Sequence, residues 1–149
     1  VFILIFRNAI DHGIETHEDR QRTGKPLAPT IKIQVRLQDN RLRICVSDDG
    51  KGLALQEIRK KAVDRKLIST LDAVNDTAAA QFIFHSGFST AKKITQVSGR
   101  GVGLDAVKTF LEKEGGSVHI SFLGGDEGQS HRAFEMVLLL PKELAMGPT

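Results

Sequence analysis

The stretch Ile31-Lys32-Ile33-Gln34-Val35-Arg36-Leu37, then Leu42-Arg43-Ile44-Cys45-Val46-Ser47, closed by Asp48-Asp49-Gly50-Lys51-Gly52, decides the fold. Apolar and polar residues alternate through both runs, the period of a strand with one buried face. Gln38-Asp39-Asn40-Arg41 between them is a short turn. The pair is therefore predicted to be an antiparallel hairpin with one apolar face and one wet face, the latter carrying Arg43, Cys45 and Ser47.

The same alternation recurs downstream at Val118, Ile120 and Phe122, and at Phe134, Met136, Leu138 and Leu140, where Pro141 ends the run. Between these strands the period changes. Leu55, Ile58 and Ala62 have helical spacing within 53–66, and a second helix is expected over 72–84. Leu104, Val107, Phe110 and Leu111 form the inward stripe of an amphipathic helix over 102–114, stopped by Gly115-Gly116. Val1 to Gly13 reads as a helix because Asn8, Asp11 and His12 then share one face. Residues 15–30 read as a polar loop with a helical turn at 18–22, and 85–98 as a mobile loop. Four strands with wet alternate positions need helical cover on one face only. The predicted architecture is α+β: a two-layer sandwich whose mostly antiparallel sheet is covered on one side.

At 149 residues the chain is one ordinary domain with room for a real core. No segment approaches the ~20 apolar residues of a membrane span, and Val1-Phe2-Ile3-Leu4-Ile5-Phe6 lacks the basic leader of a signal peptide. No membrane contact is expected. The chain opens inside an apolar run rather than at methionine, and is read as an excised fragment. One cysteine, Cys45, excludes an internal disulfide framework and fits a reducing, cytoplasmic setting. The net charge of +3 is spread among interleaved acids and bases, without tryptophan or tyrosine for stacking. That pattern reads as solvated faces rather than a nucleic-acid stripe. Phe88 is the one aromatic residue assigned to an exposed loop.

Three segments carry candidate chemistry, and each has an ordinary structural reading beside it. Asp48 to Gly52 is a strand-to-helix turn of usual composition. The sharper reading is that an inward, acceptor-only carboxylate there meets an exocyclic amine, favouring adenine over guanine. Gly99-Arg100-Gly101-Val102-Gly103-Leu104 is a flexible helix entry, or a set of bare amides at a helix start that binds phosphate. It is not a Walker A loop, since no Gly-Lys-Ser/Thr follows. Asn8, Asp11 and His12 are a solvated helix face, or the source of an amide oxygen ligand for Mg²⁺.

Taken in order, these motifs resemble one superfamily. Asn8-x-x-Asp-His-Gly is similar to its N box, Asp48 to Gly52 to its first glycine box, Gly87-Phe88-Ser89-Thr90 to its F-box region and Gly99 to Gly103 to its second glycine box. The superfamily is that of the Bergerat-type ATPases: histidine kinases, DNA gyrase B, MutL and heat-shock chaperones. Within it the chain most resembles the chemotaxis-type histidine kinases, through Phe6 to Glu15, Gly87 to Ala91 and Val97 to Asp105. Glu18-Asp19-Arg20 with Gly24-Lys25-Pro26 also fits that subfamily.

The resemblance implies a function and a set of roles. Asp48 hydrogen-bonds the adenine amine of ATP, Gly50 and Gly52 let the backbone approach the purine, and Leu53 and Ile58 wall it. Asn8 ligates Mg²⁺, with Arg7, Asp11 and His12 near the phosphates. Gly99, Arg100, Gly101, Val102, Gly103 and Leu104 cradle the phosphates. Residues 85–98 form a lid, to which Ser89 and Thr90 contribute hydroxyls. The reaction is transfer of the γ-phosphoryl group to a histidine, which depends on positioning and charge neutralisation. The implied partners are a histidine phosphoacceptor domain and a response regulator, with dimerisation through regions outside this chain. None of His12, His17, His85, His119 and His131 has an acceptor's setting on an exposed bundle helix.

One departure concerns Leu4. Chemotaxis kinases carry His, and other members Glu, one helical turn before the N-box Asn; Leu4 neither ligates metal nor moves a proton. It leaves two alternatives open beside the kinase: a catalytically weakened ATP-binding regulatory module, or a conformational ATPase. The second is disfavoured because the water-activating acid is missing.

Overall fold

The computed structural model describes residues 5–7, 13–86, 88 and 103–141. The order of elements is α1 (His17–Arg22), β1 (Ile31–Gln38), β2 (Arg41–Asp48), β3 (Leu53–Ala54), α2 (Leu55–Asp64), α3 (Asp76–Gln81), a 3₁₀ turn (Phe82–Phe84), α4 (Leu104–Lys113), β4 (Ser117–Phe122), β5 (His131–Arg132) and β6 (Phe134–Pro141). Residues 5–7 are helical. The remainder of the helix expected over 1–13 lies outside the described residues.

The four long strands form one sheet in the order β1-β2-β6-β4, and every pairing among the described residues is antiparallel. Asp39 and Asn40 join β1 to β2 with φ of 52° and 62°. This is the two-residue mirror-image turn whose twist matches the strands, and Asx residues tolerate it best. Across the sheet Val46 faces Met136 and Met136 faces Ile120, while Ile44 faces Leu138 and Leu138 faces Val118. Those six residues meet Leu55, Ile58 and Ala62 of α2, Ala79 and Ala80 of α3, Ile83, Phe84, and Leu104, Val107 and Leu111 of α4 in one core. Helices thus cover one sheet face, as the alternation predicted.

Several side chains depart from their expected places. Ile33, Val35 and Leu37 are 48%, 59% and 61% exposed. Their strand is the sheet edge, where cover ends although the apolar period continues. Cys45, assigned to the wet face, is buried, because it sits mid-sheet between Gln34 and Val137. Burial and nearby Glu135 push its thiol pKa up, which makes it inert. Phe88 is buried and stacks on Phe82 with centroids 6.1 Å apart, rather than lying exposed. Phe110 is half exposed, because α4 turns only Leu104, Val107 and Leu111 fully inward.

The helix expected over 72–84 begins at Asp76, where Asn75 caps it by accepting from the Ala78 N–H at 2.8 Å. Strand β6 runs through Pro141 instead of ending before it; Pro141 pairs with Arg41. A two-residue ladder joins β3 to β5 where a helix start and a turn were expected.

Candidate nucleotide site

Asp48 is the last residue of β2, and the chain turns immediately after it. Its carboxylate is half buried. The Gly50 N–H donates to Asp48 Oδ1 at 2.8 Å, and Oδ2 takes no hydrogen bond from the described residues. Burial is the main influence on this acid and raises its pKa; the Gly50 hydrogen bond opposes that, while Asp49 and Glu15 reinforce it. A partly desolvated carboxylate with one free oxygen suits an amine donor that completes its hydrogen bonding.

Space requires a glycine at position 50. A Cβ on Gly50 would collide with the Gly13 carbonyl oxygen, whereas one on Gly13 would make only ordinary contact with the Asp48 carboxylate oxygens at 3.7 Å. Lys51 N–H donates to that Gly13 carbonyl at 2.8 Å, tying the turn to the segment before α1. Gly52 has a φ of +86°, and its Cβ would lie 2.6 Å from the Arg132 carbonyl oxygen. Gly52→Ala should therefore cost about 1–3 kcal/mol and displace the β3–β5 ladder. Chemical denaturation checks this, and an unchanged midpoint would contradict it.

A charged network holds the turn from the other side. Arg20 on α1 is fully buried. Its Nε donates to the Pro26 carbonyl at 2.6 Å, Nη1 to Glu15 Oε1 at 3.1 Å and Nη2 to Asp49 Oδ2 at 2.7 Å. Lys25 Nζ reaches Glu15 Oε2 at 2.5 Å and the carbonyls of Asp49 and Gly50 at 3.0 and 3.1 Å. Thr30 N–H donates to Asp49 Oδ1 at 3.0 Å. That bond, first, and then Arg20 outweigh desolvation and hold the Asp49 pKa below the usual range. For Glu15, burial acts upward, but Lys25, a backbone hydrogen bond and Arg20 bring the net shift down.

The composition of residues 15–30 gave no sign of this. A polar, Gly- and Pro-punctuated segment reads as solvated, and the partner of Arg20 lies 29 residues along the chain. The only sequence signal was that Arg20, Gly24, Lys25 and Pro26 matched one subfamily.

Other expected site residues divide clearly. Leu53 lies in β3 and packs against the core, which Ile58 joins from α2. Arg7 is helical and partly exposed. Gly103 is the N-cap residue of α4, without a side-chain cap, and Leu104 behind it is buried. Leu4, Asn8, Asp11, His12, Ser89, Thr90, Gly99, Arg100, Gly101 and Val102 lie outside the described residues, as does most of the expected lid. An open cavity of about 490 Å³ lies between Gln56 and Arg59 of α2 and the 71–75 and 127–128 segments, and Asp48 does not line it.

Comparison with known proteins decides the family. Residues 1–144 match the family described as histidine kinase-, DNA gyrase B-, and HSP90-like ATPase. The chain belongs to this ATPase family. It is 40% identical over 144 residues to the gliding motility regulatory protein of Myxococcus xanthus, covering 95% of this chain and 18% of that protein. It is 42% identical over 117 residues to the chemotaxis protein CheA of Rhizobium meliloti, covering 78% and 15%. It is 44% identical over 120 residues to the sensor histidine kinase CheAY of Helicobacter pylori, covering 79% and 15%. The chain therefore spans less than a fifth of the length of these relatives.

Membership gives the β2 terminus its context. In an ATPase of this family the ligand class is a nucleotide. No helix among the described residues is long and apolar enough to cross a membrane. The described residues include no cluster of three or more His, Cys, Asp or Glu side chains fit to hold a metal.

Proposed function

We propose that this chain is the ATP-binding catalytic domain of a chemotaxis-type histidine kinase, which delivers a γ-phosphoryl group to a histidine on another domain or chain. The observation that carries the reading is the half-buried Asp48 carboxylate, with one oxygen held by Gly50 N–H and the other without a partner among the described residues, beside Gly50 and Gly52, which are packed too closely for a Cβ. The identity of about 40% to chemotaxis and sensor kinases supports the same reading.

Bound ATP supplies the phosphoryl group and the polyphosphate charge. This chain's part is to bind and orient. Asp48 fixes the purine end, and Gly50 and Gly52 allow the backbone to approach the base. Gly103 is the N-cap of α4, a ten-residue helix without a side-chain cap, and the positive end of its dipole suits anionic oxygens. Asn8 is assigned the Mg²⁺, Arg7, Asp11 and His12 the neighbourhood of the phosphates, and Gly99 to Val102 the rest of the cradle. The described histidines do not offer an acceptor. His17 opens the six-residue α1, His85 follows the 3₁₀ turn, and His119 and His131 lie in strands. The acceptor domain, response regulator and dimer contacts belong to other parts of the parent protein or to other chains.

Incubating the full-length protein with γ-labelled ATP tests this. Acid-labile, base-stable label on protein is the expected result. Released phosphate without protein label, or tight binding with neither, would replace the kinase reading. At Leu4, introducing an imidazole with Leu4→His should raise the transfer rate, since a positioned proton acceptor contributes roughly 10²–10⁴-fold. A flat rate would show that an imidazole acceptor, with its own lone pair, needs no such help.

A further inference from the structure

We propose that Arg20 is a positioning residue for the nucleotide site. It acts through Asp49 and, with Lys25, sets the turn that carries Asp48. This rests on the reading of Asp48 as the adenine acceptor.

The geometry is specific. A buried guanidinium is costly unless its donors are matched, and Arg20 spends all three of its nitrogens on three separate segments. Those segments are the Pro26 carbonyl, the Glu15 carboxylate and the Asp49 carboxylate. Asp49 is the neighbour of Asp48, and its other oxygen holds Thr30 N–H. Glu15 passes the constraint to Lys25, which is one-third exposed and grips the Asp49 and Gly50 carbonyls. Gly50 in turn donates to Asp48 Oδ1. From Arg20 to the Asp48 carboxylate there is therefore an unbroken series of hydrogen bonds and one peptide turn. Arg20 also lies on a short helix that its own capping secures, Thr16 Oγ1 accepting from Asp19 N–H at 3.2 Å.

A purely structural staple would lower stability everywhere and leave the folded site unchanged. A positioning residue must instead change the turn selectively. Lysine cannot replace it, because one ammonium cannot span three acceptors held in a planar fork.

The test compares Arg20→Ala, Asp49→Ala, the double variant and Lys25→Met. Two readouts are used: calorimetric affinity for a non-hydrolysable ATP analogue with Mg²⁺, and amide hydrogen exchange without nucleotide. Arg20→Ala should weaken binding about tenfold, the lower end of what outer hydrogen-bonding partners contribute to a site they orient. The double variant should be no worse than the weaker single one, since Arg20 acts through Asp49. Exchange at Gly50 and Lys51 should accelerate while that at Cys45 and Val46 in β2 stays unchanged. Unaltered affinity in folded Arg20→Ala, additive losses, or acceleration spread evenly over the sheet would each overturn the proposal. If Arg20→Ala does not fold, the partly exposed Lys25 decides: Lys25→Met must lose affinity several-fold, and wild-type affinity would refute the relay. Failure of the adenine reading is seen separately, as wild-type protein that binds no analogue. The exchange measurement still judges Arg20 in that case.

Discussion

Asp48→Asn should weaken ATP binding by roughly tenfold to a hundredfold, because a hydrogen bond to a charged acceptor contributes ~1.5–3 kcal/mol. The amide keeps an oxygen for Gly50 N–H, so the turn survives. Its NH₂ group then faces the purine amine, donor against donor. Folding should respond in the opposite sense. Burial raises the Asp48 pKa in the folded state. Between the ordinary carboxylate value and that raised value the folded chain holds the extra proton, so stability falls as pH rises through this window. At neutral pH the ionised side chain is a net cost, and asparagine removes it. The urea midpoint of Asp48→Asn should therefore lie above wild type at pH 7 while affinity falls. Wild-type affinity should also decline as acid protonates Asp48, and the variant should lack that limb. A variant that binds ATP normally, or that loses both affinity and stability, contradicts the assignment.

Asp76→Ala should be the most damaging single change away from the site, at about 3–5 kcal/mol and a fall in Tm on the order of 10 °C. Asp76 is fully buried at the start of α3. Its Oδ1 forms an ion pair with Arg59 Nη2 at 2.8 Å, and that nitrogen also donates to the Val74 carbonyl at 3.0 Å. Its Oδ2 accepts from Arg132 Nη1 at 2.9 Å and Gly128 N–H at 3.2 Å. Alanine strands one nearly buried guanidinium and releases another. Arg132 is also the ladder partner of Leu53, so the loss reaches the strand that leaves the Asp48 turn. Burial alone would raise the Asp76 pKa, but Arg59, Arg132 and Gly128 outweigh it and the net shift is downward. Its stabilisation is then present above the ordinary carboxylate pKa and lost as pH falls through the lowered one. Urea titrations at neutral and acid pH should show the wild-type advantage over Asp76→Ala shrinking in acid. An advantage independent of pH would mean that packing, not charge, is what Asp76 contributes.

The long strands were legible because their alternation extends over six to eight residues and one face is buried. The inward rows Ile44/Leu138/Val118 and Val46/Met136/Ile120 follow directly from it. Position within the sheet was not legible. Alternation cannot tell an edge strand from a central one, so Val35 and Leu37 read as buried and Cys45 as wet. The β3–β5 ladder escaped because two residues carry no period. Phe88 was assigned to an exposed loop because of its neighbours' composition, whereas its ring is buried on Phe82 beneath Lys61 and Arg65. The turn at Asp48 and its glycines could be read because turn chemistry is local. Arg20 and Asp76 could not, since each acquires its meaning from partners about thirty to fifty-six residues away.

The most direct test replaces a single group on the ligand. Inosine triphosphate differs from ATP in carrying a carbonyl where adenine has its amine, so it presents an acceptor to the acceptor Asp48. Calorimetry with both nucleotides on wild type and Asp48→Asn closes a thermodynamic cycle. The expected result is a preference of wild type for ATP of roughly tenfold or more, lost in the variant. Equal affinities for the two nucleotides in the wild-type protein would contradict the claim that this carboxylate reads the base.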